Sequence, residues 1–257
     1  MGAAIMATVE RNAARVSGYD LAVIVKRHRP DLLWRLRQAN VPIVWDVVDA
    51  WPQPSGNEWD EARCMDWLRN EVALLKPKAI VTPTKAMAVD CSPFGIPVLA
   101  LPHHARPKMR INPIREKVQK VGYEGGDYLG QWGPVLRAEC DKRGWEFIVN
   151  PPALADLDIV VAFRDAKGYA ARNWKSNCKL ANAQGSGTPC IMNKEAGYLE
   201  TDRGGVLWVD DVNHLGMALD ALTSVETRRN AAKQLLAGKI ELEDVAGRYR
   251  RWLHTLV

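Results

Sequence analysis

The sequence lacks several features that would have settled its class at once. There is no Cys-x-x-Cys pair; the five cysteines, at 64, 91, 140, 178 and 190, are odd in number and widely scattered. That argues against a disulfide framework or a cysteine-held zinc and suits free thiols in a reducing cytoplasm. No apolar run approaches the length of a membrane span. The opening Met1-Gly2-Ala3-Ala4-Ile5-Met6 has neither the basic start nor the long apolar core of a signal peptide. Met6 also stands where a myristoylation signal needs Ser or Thr. Neither Gly-x-Gly-x-x-Gly nor the phosphate loop Gly-x4-Gly-Lys-Ser/Thr occurs, so dehydrogenase and P-loop kinase readings lose support. Heptads, low-complexity tracts and short-period repeats are missing too.

What is present suits a soluble globular protein. The 257 residues are 47% hydrophobic and 25% charged, enough for two compact domains or one large one. The formal charge of +5 is concentrated. Between Pro102 and Lys120 stand six Lys or Arg (106, 108, 110, 115, 117, 120), His103, His104 and a single acid, Glu116, so this one segment carries an excess of five. Such a patch can serve a diphosphate, a nucleic-acid backbone or anionic lipid, or it can be a solvated linker.

Hydrophobic periodicity alternates along the chain. A helical period over 4–17 precedes strands at 20–25, 41–45, 79–82 and 98–101, with helices near 31–38, 58–75 and 84–90 between them. Three prolines mark 102–113 as a linker. The alternation then restarts with strands at 118–123, 145–149, 158–163, 190–192 and 206–209, a helix over 127–143, and helix from there to Leu256. This order predicts two α/β units with parallel sheets.

The most informative stretch is 172–189. It reads as a polar loop, a helix opened by Ser176 as N-cap, a stop at Gly185 and Gly187, and a strand. Lys175, Lys179 and Asn182 share one helix face by spacing. A helix N-terminus flanked by lysines suits a diphosphate, though an ordinary solvated helix has the same pattern.

The run Lys175-Ser176-Asn177-Cys178-Lys179-Leu180-Ala181-Asn182-Ala183, followed by Gly187-Thr188-Pro189, resembles the donor-binding segment of GT-B glycosyltransferases of the family 1/4-like, phage or bacterial type. There Lys-x-Asn-x-Lys-Leu-x-Glu-Ala leads into a small-Gly-x-Pro turn. The resemblance implies two Rossmann-like domains whose parallel sheets face a cleft: an acceptor-side domain over 1–112, a nucleotide-sugar donor domain over 113–236, and a helix over 237–257 packing across them. It implies that Lys175 meets the donor diphosphate, with UDP-sugars ahead of GDP-sugars and no essential metal. Asn182 stands where those enzymes have a glutamate that holds the ribose; an amide can still donate and accept there. Such acceptor domains begin with a strand and a glycine-rich loop, so here the first strand is trimmed or the start is shortened.

Strand ends supply the remaining candidates, because open parallel sheets bind ligands at their carboxyl edge. Gly125 and Gly126 let backbone approach a phosphate, and Arg164 is a second diphosphate contact beside Lys175, Ser176, Asn177, Lys179 and Asn182. On the acceptor side, His103, Asp46 and Asp49 are the candidates for base or acceptor-side polar group. Asp156-Leu157-Asp158 precedes its strand and reads as surface acids rather than a metal site. Of five tryptophans between 34 and 67, Trp45 and Trp51 bracket the acids and read as contacts; Trp34 and Trp67 read as core. The expected activity is sugar transfer from a nucleotide diphosphate to a hydroxyl, the acceptor being a 5-hydroxymethylated pyrimidine of DNA gripped by the basic segment 103–120. Alternatives are a cell-surface glycan or lipid acceptor, and a non-catalytic nucleotide- or nucleic-acid-binding protein on a decayed fold of this type.

Overall fold

The computed structural model describes residues 16, 18–49, 51–53, 55–126, 129–165 and 167–257. The helix expected over 4–17 lies outside them but for Val16. Among the described residues nine short strands form two parallel sheets. The first holds β1 (Ala22–Val25), β2 (Ile43–Asp46), β3 (Ala79–Thr82) and β4 (Val98–Ala100) in the order β1-β2-β3-β4. The second holds β5 (Lys120–Tyr123), β6 (Glu146–Val149), β7 (Ile159–Ala162), β8 (Cys190–Met192) and β9 (Val206–Trp208) in the order β6-β5-β7-β8-β9. Its order turns round at β5 and β7, which creates a crevice at their carboxyl ends.

The strands are apolar runs because both faces are covered. One face of the first sheet packs on α1 (Pro30–Gln38), α2 (Glu61–Leu75) and α3 (Lys85–Cys91). The side chains of Asp60 and Thr84 cap α2 and α3. The other face is covered by the last helix, α10 (Leu242–His254), through Tyr249, Trp252, Leu253 and the following Leu256, which meet Val44, Ala79 and Val81. In the second sheet α4 (Trp132–Arg143) and α8 (Leu215–Ala221) lie on one face, α6 (Cys178–Ser186) and α9 (Val225–Ala237) on the other.

Several local expectations are corrected. The helix after β5 begins at Trp132, not 127, and the C-terminal run divides into α8, α9 and α10. Arg172 and Asn173 are not loop but the end of a short helix, α5 (Tyr169–Asn173), and α7 (Ala196–Thr201) carried no sequence signal. α6 opens at Cys178 with Asn177 at its cap; Ser176 instead turns its hydroxyl to Cys178 Sγ, 3.3 Å away. The left-handed residue that ends α6 is Gly187, at φ +64°, while Gly185 lies inside the helix. It must be small there, since a Cβ would come within 2.5 Å of Ala105. Trp45 and Trp51 are core, and Trp34 is the exposed one. Asp158 is buried and accepts from the Gln119 and Lys120 amides and from Arg115, so only Asp156 is a surface acid.

α5 joins the two halves. It belongs by sequence to the second unit, yet Ala170, Ala171 and Trp174 are buried in the core of the first. Trp174 lies 6.0 Å from Trp67 and donates to Asp90 on α3 at 2.6 Å; Tyr169 donates to the same carboxylate at 3.1 Å. Glu200 on α7 accepts the Lys85 and Ala86 amides at the start of α3. Replacing Trp174 by Ala should lower stability by about 3–5 kcal/mol, through the lost ring volume and the Asp90 carboxylate left without its indole donor. Chemical denaturation monitored by far-UV circular dichroism would show it; a loss below about 1 kcal/mol would mean that the two halves are not joined through this side chain.

Candidate active site

The carboxyl ends of both sheets converge where α5 gives way to α6. β2 runs into Asp46 and Asp49, and the chain after β4 brings His103 beside them. From the other side, the turn between α5 and α6 places Lys175 opposite. Asp49 bridges the halves, with Oδ2 2.5 Å from Lys175 Nζ and Oδ1 2.6 Å from Lys26 Nζ. Lys175 Nζ also sits 5.1 Å from the Trp51 ring centroid. Nδ1 of His103 lies 3.0 Å from Cys178 Sγ. The Asn177 side chain clamps the His103 backbone, accepting its amide at 2.8 Å and donating to its carbonyl at 3.0 Å. The Tyr249 hydroxyl donates to Asp46 Oδ2 at 3.3 Å, so α10 also reaches this edge.

Deeper in the second unit Lys179 Nζ stands 4.1 Å from the Tyr123 ring, and among the described residues no carboxylate pairs with it. Arg164 Nε meets Glu195 Oε1 at 2.8 Å, both side chains being buried. Glu124, at the end of β5, is held by Arg106 at 2.6 Å and by the Asn182 amide at 2.8 Å.

Burial and crowding among cations set the protonation. Desolvation, helped by Arg164 and Lys175, brings Lys179 down to about 7. Lys175 is lowered by burial against the pull of Asp49. Burial alone would raise Asp49, but Lys175 and Lys26 outweigh it and keep the carboxylate ionised. Asp46 is raised by burial, and burial lowers His103, which is therefore neutral near pH 7. In the tautomer whose Nδ1 donates to the sulfur, His103 Nε2 carries the lone pair a base needs. Burial pushes the Cys178 thiol up, so it stays protonated.

The fold thus gathers Asp46, Asp49, His103, Gly125, Arg164, Lys175, Lys179 and Asn182 around one crevice, but not all in the expected roles. The Ser176 hydroxyl and the Asn177 amide are committed internally. The Gly125 amide donates to Asn150 Oδ1 at 2.8 Å rather than pointing free. Gly125 is needed for closeness instead: at φ +147° its Cβ would lie 3.2 Å from Lys179 Nζ. Gly126 lies beside it at the exposed turn. Glu124, Glu195, Lys26 and Cys178 went unmarked in the sequence. Lys26 and Glu124 each follow a strand directly, a signal that was present; Glu195 gave none. Among the described residues no group of three His, Cys, Asp or Glu side chains could hold a metal, and no helix is long and apolar enough to cross a membrane.

No family model matches the chain, and no curated protein matches it by sequence. Solved structures do match by shape. Accessory secretory protein 1, 2 and 3 of Streptococcus pneumoniae aligns with 93% of this chain and 54% of its own, at TM-score 0.59 and 9% identity. Sucrose-phosphate synthase of Thermosynechococcus elongatus gives 93% and 75% coverage, TM-score 0.57 and 15% identity. The pneumococcal O-GlcNAc transferase GtfA, solved with UDP and GlcNAc, gives 91% and 56%, TM-score 0.55 and 9% identity. The fold is GT-B. The chain spans just over half the length of the first and third of these proteins.

An anion bound beside Lys179 in this GT-B crevice would bind in a pH-dependent way. A bound anion favours the ammonium, so affinity is full below the free lysine's value of about 7 and falls as pH rises above it. Titrating UDP from pH 6 to 9 should show this decline, and Lys179→Gln should flatten it relative to wild type, which cancels any titration of UDP itself. Parallel curves for the two proteins would remove Lys179 from the site.

Proposed function

We propose that this protein is a glycosyltransferase that takes a sugar from a nucleotide-diphosphate donor to a hydroxyl acceptor. One observation carries the reading: Lys26, Lys175, Lys179 and Arg164 gather at the crevice, where Asp49 and Glu195 are, among the described residues, the only carboxylates in ion-pair contact with any of them, and Lys179 has none. An anionic diphosphate would complete this set. Buried cations without partners are costly, and the cost is offset when an anion completes the set. We assign 113–236 to the donor side and 1–112 to the acceptor side, tied by 237–257; Lys175, Lys179 and Arg164 on 113–236 support this.

In this mechanism Lys175 and Lys179, with the α6 N-terminus, hold the diphosphate and stabilise it as it leaves. Arg164 adds a third charge. Glu124, oriented by Asn182 and Arg106, takes the ribose hydroxyls that Asn182 alone would hold less firmly. Neutral His103 accepts the acceptor's proton, with Asp46 beside it favouring the imidazolium that results. Asp49 keeps Lys175 extended across the crevice until the donor takes its place. UDP-sugars are the first donors to test, and the charge needs no metal.

The acceptor argument changes with the structure. Arg106, Arg110 and Arg115 of the basic segment are paired with Glu124, Asp156 and Asp158. Its charge therefore holds the linker to the second sheet and no longer singles out DNA over a glycan or lipid hydroxyl. A hydroxymethylated pyrimidine in DNA remains one acceptor in the screen.

The test is nucleotide release from a panel of UDP- and GDP-sugars with hydroxymethylated duplex DNA, glycan and lipid acceptors. Lys175→Ala should cut turnover at least about a hundredfold, from the loss of one buried charge contact to the leaving group, with an unchanged far-UV spectrum. Full activity in that variant, or no release with any donor by the wild type, would refute the reading.

A further inference from the structure

Beside the cation cluster lies a cavity of about 380 Å3 that the diphosphate reading leaves unused. It opens at the carboxyl edge of β7, β8 and β9, between the start of α4 and α5, and Arg164 and Glu195 form the wall it shares with the cluster. Two features of that wall are unsatisfied. Glu195 is 3% exposed; Oε1 takes Arg164 Nε, but Oε2 is buried with no hydrogen-bond partner. A buried carboxylate oxygen left in that state is rare in folded proteins and calls for a donor. Arg164 meets Glu195 through Nε alone, and among the described residues no carboxylate faces its terminal nitrogens.

We propose that this cavity is the subsite for the sugar ring of the donor, with Glu195 Oε2 accepting one hydroxyl and the Arg164 guanidinium donating to its neighbour. The inference rests on the nucleotide-sugar reading and names the part of the ligand that the lysines do not touch. The lining is polar: besides Glu195 and Arg164 it holds Gln131, Asp165, Lys167 and Arg172, while Asn193 is bound to the Arg164 backbone and Asp210 is paired with Lys194. A nucleobase would need a free aromatic face. The one ring in the wall, Trp132, is buried and already stacked on Phe163 at 4.2 Å and 8°. The volume is ample for one hexose-sized ring.

Because Glu195 shares a wall with the diphosphate site, binding of UDP and of UDP-sugars must be compared in the same proteins. Calorimetric titration of wild type with UDP, UDP-glucose, UDP-galactose and UDP-N-acetylglucosamine should find one sugar nucleotide that binds tighter than UDP. Glu195→Gln should lower the ratio of sugar-nucleotide to UDP affinity about tenfold or more, while UDP itself binds no more weakly, since the change removes a negative charge from the cation cluster. Gln131→Trp changes an exposed side chain at the mouth, fills the cavity without touching the buried pair, and should do the same should Glu195→Gln fail to fold. Equal losses for UDP and the sugar nucleotide would make Glu195 a support of the diphosphate site and overturn the inference. So would an unchanged sugar-nucleotide affinity in both variants. Should wild type bind no nucleotide, the donor reading fails by itself. The cavity is then judged by the Trp132 indole resonance with millimolar free hexoses. A shift that Glu195→Gln abolishes keeps a sugar site, and no shift ends it.

Discussion

The burial of Trp174 in the core of the opposite unit is the constraint on which the crevice depends. In sequence the two sheets are joined by the linker after β4 and by the return of the chain to α10. In space they are fixed by α5, whose Ala170, Ala171 and Trp174 complete a core built from α1, α2 and β2. Lys175 is the next residue, so its reach to Asp49 follows from that packing. Asp90 satisfies both Trp174 and Tyr169, and Glu200 caps α3 from the other unit. Close-packed interiors have few alternative arrangements. The spacing between Asp49 and Lys175 is thus held by core contacts, and the crevice is formed before any ligand enters.

A preformed crevice explains how so many cations can stand together. Ordinary surface lysines would turn away from one another into water. Here burial holds Lys175 and Lys179 near Arg164, and the response is a fall in lysine basicity, not a change of rotamer. Asp49 serves two lysines at once and therefore stays ionised, which makes it a poor base. Asp46 and His103 sit in the opposite situation, each made less willing to carry charge by burial. Environment, not residue type, divides these carboxylates into an electrostatic strut and a partner for the imidazole.

All nine strands were legible, because each is a β-branched or apolar run punctuated by turn residues, and the capping residues Asp60 and Thr84 stand where helices begin. The boundaries of α6 were less so. Ser176 has the chemistry of a cap, but Gly197 packs so closely on the turn at 175–177 that a Cβ there would meet the Lys175 carbonyl at 2.4 Å; tertiary approach, invisible in spacing, sets where the helix starts. α5 was missed because five residues are too few for a period and because it is stabilised by a core contributed from elsewhere. The tryptophans misled for a related reason. Proximity to acids in sequence marked Trp45 and Trp51 as contacts, while burial depended on α2 and α5 packing over them. The charge of the segment after Pro102 was legible in sum but not in its pairing, since the acid partners of Arg106, Arg110 and Arg115 stand 18, 46 and 43 residues further along.

Asn182 illustrates how a departure from a sequence pattern can be resolved by contacts between distant residues. Its amide donates to Glu124, 58 positions earlier, just after strand β5. A carboxylate is therefore present beside α6 after all, delivered from a strand instead of from the helix. A glutamate at 182 would set two buried carboxylates against each other with only Arg106 paired to them, and like charges at hydrogen-bond distance cannot both stay ionised. Given Glu124, an amide is the side chain that the site electrostatics favour at 182: it orients the carboxylate, adds no charge, and still offers its oxygen to the Arg106 amide. In the nucleotide-sugar reading, Glu124 can thus supply beside α6 the carboxylate that position 182 does not carry.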